Sequence, residues 1–118
     1  MARVSLEPLR SMDGYVASAL VDADSGMMLA GDGAGVNLEV AAAGNSEVVR
    51  AKRKVANNLK LNDTIEDILI SLTKQYHIIR PLESAQQLFL YVVLDRGKAN
   101  LAMARHEIRT FEKSLDFG

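Results

Sequence analysis

Asp13-Gly14-Tyr15-Val16-Ala17-Ser18-Ala19-Leu20-Val21-Asp22-Ala23-Asp24-Ser25-Gly26-Met27-Met28-Leu29-Ala30 reads as an apolar strand, a tight polar turn and a second apolar strand. Gly26 supplies the positive φ that a short hairpin loop needs, and Asp22 and Asp24 can accept from nearby backbone N–H groups. The hairpin is the fixed point from which the elements on either side are read.

On its N-terminal side Leu6, Leu9 and Met12 recur every third residue behind Ser5, a good N-cap. Pro8 falls in the first turn, where its missing N–H is harmless. A short helix is expected over about residues 5–12, ended by Gly14. On the other side Gly31-Asp32-Gly33-Ala34-Gly35-Val36 reads as a flexible connector into a long second helix over residues 37–59. There Leu38, Ala41, Ala42, Asn45, Val48, Val49, Lys52, Val55, Ala56 and Leu59 share one helical seam. The middle of that helix, Ala41-Ala42-Ala43-Gly44, is small. Gly inside a helix costs about 1 kcal/mol relative to Ala, so the pattern suggests close approach by another element, with a break at Gly44-Asn45 as the alternative.

Three strand-like runs come next: residues 64–73, in which Ile68, Ile70 and Leu72 alternate, then 76–82, then the continuously apolar 87–94. The last reads as a central strand buried on both faces. Leu101, Ala104, Ile108, Phe111 and Leu115 then keep helical spacing opposite Arg105, Arg109, Glu112 and Lys113. The order αββαβββα with short connections predicts an α+β fold, an antiparallel five-stranded sheet with helices on both faces. Its 118 residues, 48% of them hydrophobic and 25% charged, are expected to form a single domain over 1–118.

Composition narrows the chemistry. The net charge of −1 gives no overall attraction to nucleic acid or an anionic membrane. The chain has no cysteine, which excludes thiolate catalysis, disulfides and cysteine-held metals. Met1-Ala2-Arg3-Val4-Ser5-Leu6-Glu7-Pro8 has no signal-peptide core, and no run approaches the roughly 18 apolar residues of a membrane span. No membrane insertion is expected, and the cytoplasm is the default location.

Few motifs point to catalysis. The glycine connector lacks the Lys-Ser/Thr ending of a P-loop, and Asp116-Phe117-Gly118 stands without any other kinase element. His77 and His106 have no partner at metal-ligand spacing, and Glu66 and Asp67, adjacent on a strand, would point to opposite faces. No catalytic residue, metal or cofactor is therefore assigned. Arg50, Lys52, Arg53 and Lys54 form one dense basic cluster, which reads as a solvated helix face or a docking surface for an acidic partner. Without stacking aromatics on that helix, a nucleic-acid partner is not expected.

The element order and four stretches resemble the roadblock family, the fold of dynein roadblock light chains and of bacterial regulators of small Ras-like GTPases. The stretches are residues 9–30, the small-residue second helix, Ile65-Glu66-Asp67-Ile68-Leu69-Ile70 leading into Tyr76-His77-Ile78-Ile79-Arg80-Pro81-Leu82, and residues 94–105. The resemblance implies a sheet ordered 2-1-5-4-3, with the first and last helices on one face and the second on the other. It also implies a homodimer, in which third strands pair and second helices lie side by side. Ala41, Ala42, Gly44, Val48 and Val55, with Ile65, Asp67 and Leu69 of the strand, would then stand at the interface, Lys52 near it. The stretch 65–70 is long and apolar for an exposed edge, a physical reason for covering it.

On this reading the chain is a non-enzymatic, homodimeric module that binds a small Ras-like GTPase through Arg50, Lys52, Arg53 and Lys54. In the bacterial branch such a dimer can accelerate GTP hydrolysis by reorganising the GTPase's own switch residues. Two alternatives stand beside it. One is a dynein-light-chain-like scaffold without effect on nucleotide turnover. The other is a profilin-like sensor enclosing a small molecule, with Met12, Met27, Met28 and Met103 lining its pocket.

Overall fold

A computed structural model describes residues 4–115. Met1-Ala2-Arg3 and the Asp116-Phe117-Gly118 triplet lie outside the described residues. The elements are a 3₁₀ helix Glu7–Ser11, β1 (Tyr15–Asp22), β2 (Met28–Gly33), α1 (Leu38–Asn58), β3 (Ile68–Ser71), β4 (Gln75–Pro81), β5 (Leu88–Asp95) and α2 (Leu101–Lys113). The strands form one antiparallel sheet ordered β2-β1-β5-β4-β3, the α+β architecture that the element order predicts.

The continuous apolar run of β5 sits at the centre, buried from Leu88 to Leu94. Side chains alternate across a strand, so the run serves two cores at once. Leu90, Val92 and Leu94 meet Leu6, Leu9, Met12, Ala104, Ile108 and Phe111, which places the 3₁₀ helix and α2 on that face. Phe89, Tyr91 and Val93 join Ala19, Val21, Ala42 and Val49, which places α1 on the other.

Several boundaries differ from the sequence reading, each for a local reason. The opening helix is a 3₁₀ turn closed by Leu9 N–H to Leu6 C=O at 3.0 Å and Met12 N–H to Leu9 C=O at 3.2 Å. The three-residue spacing of Leu6, Leu9 and Met12 is the 3₁₀ period itself, and so short a segment gains little from α geometry. Ser5 is not its N-cap: Leu6 holds that position, and the Ser5 hydroxyl accepts from Glu7 N–H at 3.3 Å. Half of the expected glycine connector is strand, because β2 runs on to Gly33. Gly33 has φ +90° and an added Cβ would lie 2.6 Å from the Ala17 Cα, so no other residue fits there without strain. In the hairpin turn Gly26 takes φ +77°, and the Asp22 carboxylate, not that of Asp24, accepts from the backbone of Asp24 at 2.8 Å.

Two clasps hold the face bearing α2. The Asp32 carboxylate accepts from the Arg10 guanidinium at 2.5 Å and from the Tyr15 hydroxyl at 2.6 Å, tying the 3₁₀ helix to β2. Arg10 first, then Tyr15, holds this carboxyl below its usual range. The unfolded chain therefore takes up that proton more readily, and the clasp's contribution is lost as pH falls through the lowered folded value. The second clasp is buried: Arg80 Nε donates to Glu112 Oε1 at 2.6 Å, and Glu83 N–H donates to Glu112 Oε2 at 3.0 Å. Arg80 and Glu112 are only 5% and 9% exposed.

Removing one partner of such a pair strands the other charge away from water. Glu112→Ala is expected to lower unfolding stability by about 3 kcal/mol or more in a urea titration, with Glu112→Gln intermediate. A loss below about 1 kcal/mol would show that water or a neighbour replaces the carboxylate.

Candidate functional site

Asn37 starts α1 by accepting from Val40 N–H at 3.2 Å through its side-chain carbonyl. The helix then runs unbroken through Gly44-Asn45 to Asn58, so the alternative of a break there is not realised. Its inner face is Ala42, Ser46 and Val49, all buried, with the Ser46 hydroxyl donating to the Ala42 carbonyl at 2.7 Å. Ala42 is thus spent inside the chain's own core and has no surface to present to another molecule.

One flank of α1 is different. Ala41 and Val48 are half-buried against the core, while Val55 is 45% exposed and Leu59 63%. Gly44, on the same flank by helical spacing, is exposed, and a Cβ built on it would meet nothing within 4 Å. Of the small residues, Ala42 and Ala41 thus pack against the chain's own sheet, while Gly44 faces open space among the described residues. Beside this flank the sheet floor carries Ile68 and Ile70 of β3, both half-buried, and His77 of β4.

The β3 edge is shorter than the sequence suggests. The strand spans Ile68–Ser71 only, so Ile65 and Asp67, expected within it, precede it. Extending the register that pairs Ile68 with Ile79 would set Glu66 opposite Pro81, which has no N–H to donate. Two ion pairs also draw the preceding segment to α2: Arg105 Nε donates to Asp67 at 2.9 Å, and Arg109 lies 3.5 Å from Glu66. Both carboxylates thus reach the same helix rather than opposite faces. Leu69 is half-buried on that side, and Ile65 lines a groove of about 240 Å³ with Arg53, Ala56 and Asp63.

The basic cluster divides. Arg50 donates to the Ala23 carbonyl at 2.7 Å and the Asp24 carbonyl at 3.2 Å, and Arg53 donates to the Gln86 carbonyl. Both arginines anchor α1 to loops at the end of the sheet. Lys52 and Lys54 are exposed and remain the cations available to a partner.

Sequence reasoning missed the polar group under α1. His77 Nδ1 lies 3.0 Å from the Tyr91 hydroxyl and Nε2 lies 2.9 Å from Gln75 Oε1. The rings meet edge to face at 5.5 Å, and burial pushes the His77 imidazole below its ordinary range. The available signal was the alternation that puts His77 on the same face as Ile79. Of the methionines suggested for a ligand pocket, Met12 and Met103 line a cleft of about 70 Å³ between the 3₁₀ helix and α2. That is small beside the roughly 300 Å³ or more of a typical ligand site. Met27 and Met28 lie on the hairpin, and Met27 is 65% exposed.

No family model matches the chain, and no curated protein matches it in sequence. Solved structures do match its fold. The Roadblock/LC7 domain from Streptomyces avermitilis superposes with a TM-score of 0.79 at 15% identity, covering 92% of this chain and 88% of that one. Myxococcus xanthus MglB gives a TM-score of 0.73 at 18% identity over 84% and 78% of the two chains. A structure described as MglB with tetrameric arrangement gives 0.76 at 20% identity over 92% and 79%. The chain has the roadblock fold.

The division of the basic cluster is testable by melting. Arg50→Ala and Arg53→Ala should each cost about 1 kcal/mol, the scale of a partly exposed hydrogen bond to a charged donor, while Lys52→Ala and Lys54→Ala should leave Tm unchanged. Equal effects at all four positions would contradict the division.

Proposed function

We propose that the chain is a non-enzymatic module that pairs with a second copy through the flank of α1 and the β3 edge, and that the paired helices bind a small Ras-like GTPase. The observation that carries the reading is the half-uncovered flank beside an unpaired edge strand. Ala41, Gly44, Val48 and Val55 line it, with space over Gly44 for a second helix to approach. Small residues let helix axes come close, and an open strand edge pairs most readily with another edge.

A two-fold axis makes such a surface self-complementary, since each copy offers the same helix flank and the same strand. The fold neighbours support the reading, one of them being described as MglB with a tetrameric arrangement. The short β3 narrows the strand contribution to Ile68–Ser71, leaving Ile65 and Asp67 to one side. For the GTPase, Lys52 and Lys54 carry the electrostatic part, because Arg50 and Arg53 are engaged within the chain. Regulation of hydrolysis would act by positioning the partner's own switch residues.

Light scattering behind gel filtration should give twice the chain mass into the low micromolar range, and Val48→Glu or Gly44→Leu should halve it without unfolding the protein. A wild-type monomer would overturn the pairing. With GTP-loaded Ras-like GTPases of the same genome as titrants, Lys54→Glu should weaken binding severalfold and leave the dimer intact, whereas Lys52→Glu, on the pairing flank, is compared only at a matched dimer mass. Unchanged binding would remove the platform, and GTP turnover in the same mixtures separates a regulator from a scaffold.

A further inference from the structure

His77 lies on the side of the sheet that α1 only partly covers. It pairs in register with Ile70 of β3 and Val93 of β5, and its ring is half-buried. Its two hydrogen bonds suit a neutral imidazole. The Gln75 side-chain carbonyl can only accept, so Nε2 carries a hydrogen. Nδ1 is then an acceptor, and the Tyr91 hydroxyl donates to it. Tyr91 is 1% exposed, and the Asn45 amide approaches the same hydroxyl from α1. The network joins β4, β5 and α1 around a neutral imidazole.

We propose that His77 makes self-association of this face pH-dependent: the face assembles around a neutral imidazole and comes apart as the ring is protonated. The proposal rests on pairing through α1 and the β3 edge. An imidazolium must donate from both nitrogens, so the Tyr91 oxygen becomes the acceptor from Nδ1 and its own proton loses that partner. A second copy laid over the face would also remove the water that solvates the added charge.

The groups around the ring supply no negative charge. Tyr91 faces it from β5, the apolar Ile70 flanks it on β3, and Asn45 stands over it from α1. The charged side chain on the same flank of α1 is Lys52, a cation. The carboxylates of the segment before β3, Glu66 and Asp67, are turned to the other side of the sheet and held by Arg109 and Arg105.

Linkage sets the sign. The separated chain takes up the proton more readily than the covered one, so association weakens as pH falls and is flat once the ring is neutral in both. With one such ring per copy, the dissociation constant should rise about tenfold or more between pH 7.5 and 4.5, an interval carried below the ordinary histidine range because burial lowers the ring already in the separated chain.

The experiment is sedimentation velocity on the full chain across that interval, with circular dichroism to show that each variant is folded. Wild type should weaken as stated, His77→Gln should assemble with the dependence flattened, and His106→Gln, altered at an exposed site on α2, should behave as wild type does. An assembling His77→Gln with undiminished pH dependence would overturn the proposal and leave the pairing standing. Absence of assembly at every pH would overturn the pairing and this proposal with it. Should His77→Gln fail to fold, ¹⁵N NMR of the wild-type ring decides. An Nε2-protonated tautomer whose titration tracks dissociation supports the proposal, and a ring already charged in the assembled state refutes it.

Discussion

One helix cannot cover a five-stranded sheet. Strands lie about 4.8 Å apart and a helix with its side chains is about 10 Å across, so a single helix shields roughly two strands. On one face of this protein the load is shared: α2 and the 3₁₀ helix together bury Leu20, Ile78, Leu90, Val92 and Leu94. On the other face α1 works alone, lying over β1 and β2 and reaching the side chains of β5, and the floor formed by β3 and β4 is left with Ile68, Ile70 and His77 half-exposed.

The uncovered side has the shape that a second helix needs. The flank of α1 that overhangs the floor is built of Ala41, Gly44, Val48 and Val55, with Lys52 among them. The two arginines of the basic cluster are turned to hairpin and loop carbonyls, which steadies α1 against the sheet, while Lys52 and Lys54 are exposed. The other sheet edge is handled differently. Register shifts within the β1–β2 pairing, and Asp32 of β2 is clamped by Arg10 and Tyr15, devices that blunt an edge against further pairing.

The elements were largely legible because each carried its own period. The apolar run of β5, the seam of α1 and the spacing of Leu101, Ala104, Ile108 and Phe111 are local signals that tertiary packing reinforces. The length of β3 was not, because it depends on which residue of β4 falls opposite Glu66, and the identity of that residue as Pro81 matters only once the register is set. The same holds for the basic cluster. Four adjacent cations look alike in the sequence, and only the positions of the 22–27 turn and of Gln86 decide that Arg50 and Arg53 are engaged. The surroundings of His77 required Tyr91 and Asn45 to be brought together from two distant elements.

The absence of cysteine allows the central claim to be tested by distance. Ala51 is exposed on the outer side of α1, so Ala51→Cys carrying one spin label gives a single intermolecular distance in an otherwise unlabelled protein. With helix axes about 10 Å apart, as packed helices require, dipolar spectroscopy should give a narrow distribution on the order of 20–35 Å. A label at Met27→Cys, on the hairpin turn held against the opposite flank of α1, should give a longer distance. A short distance from Met27 and a long or absent one from Ala51 would contradict pairing through α1.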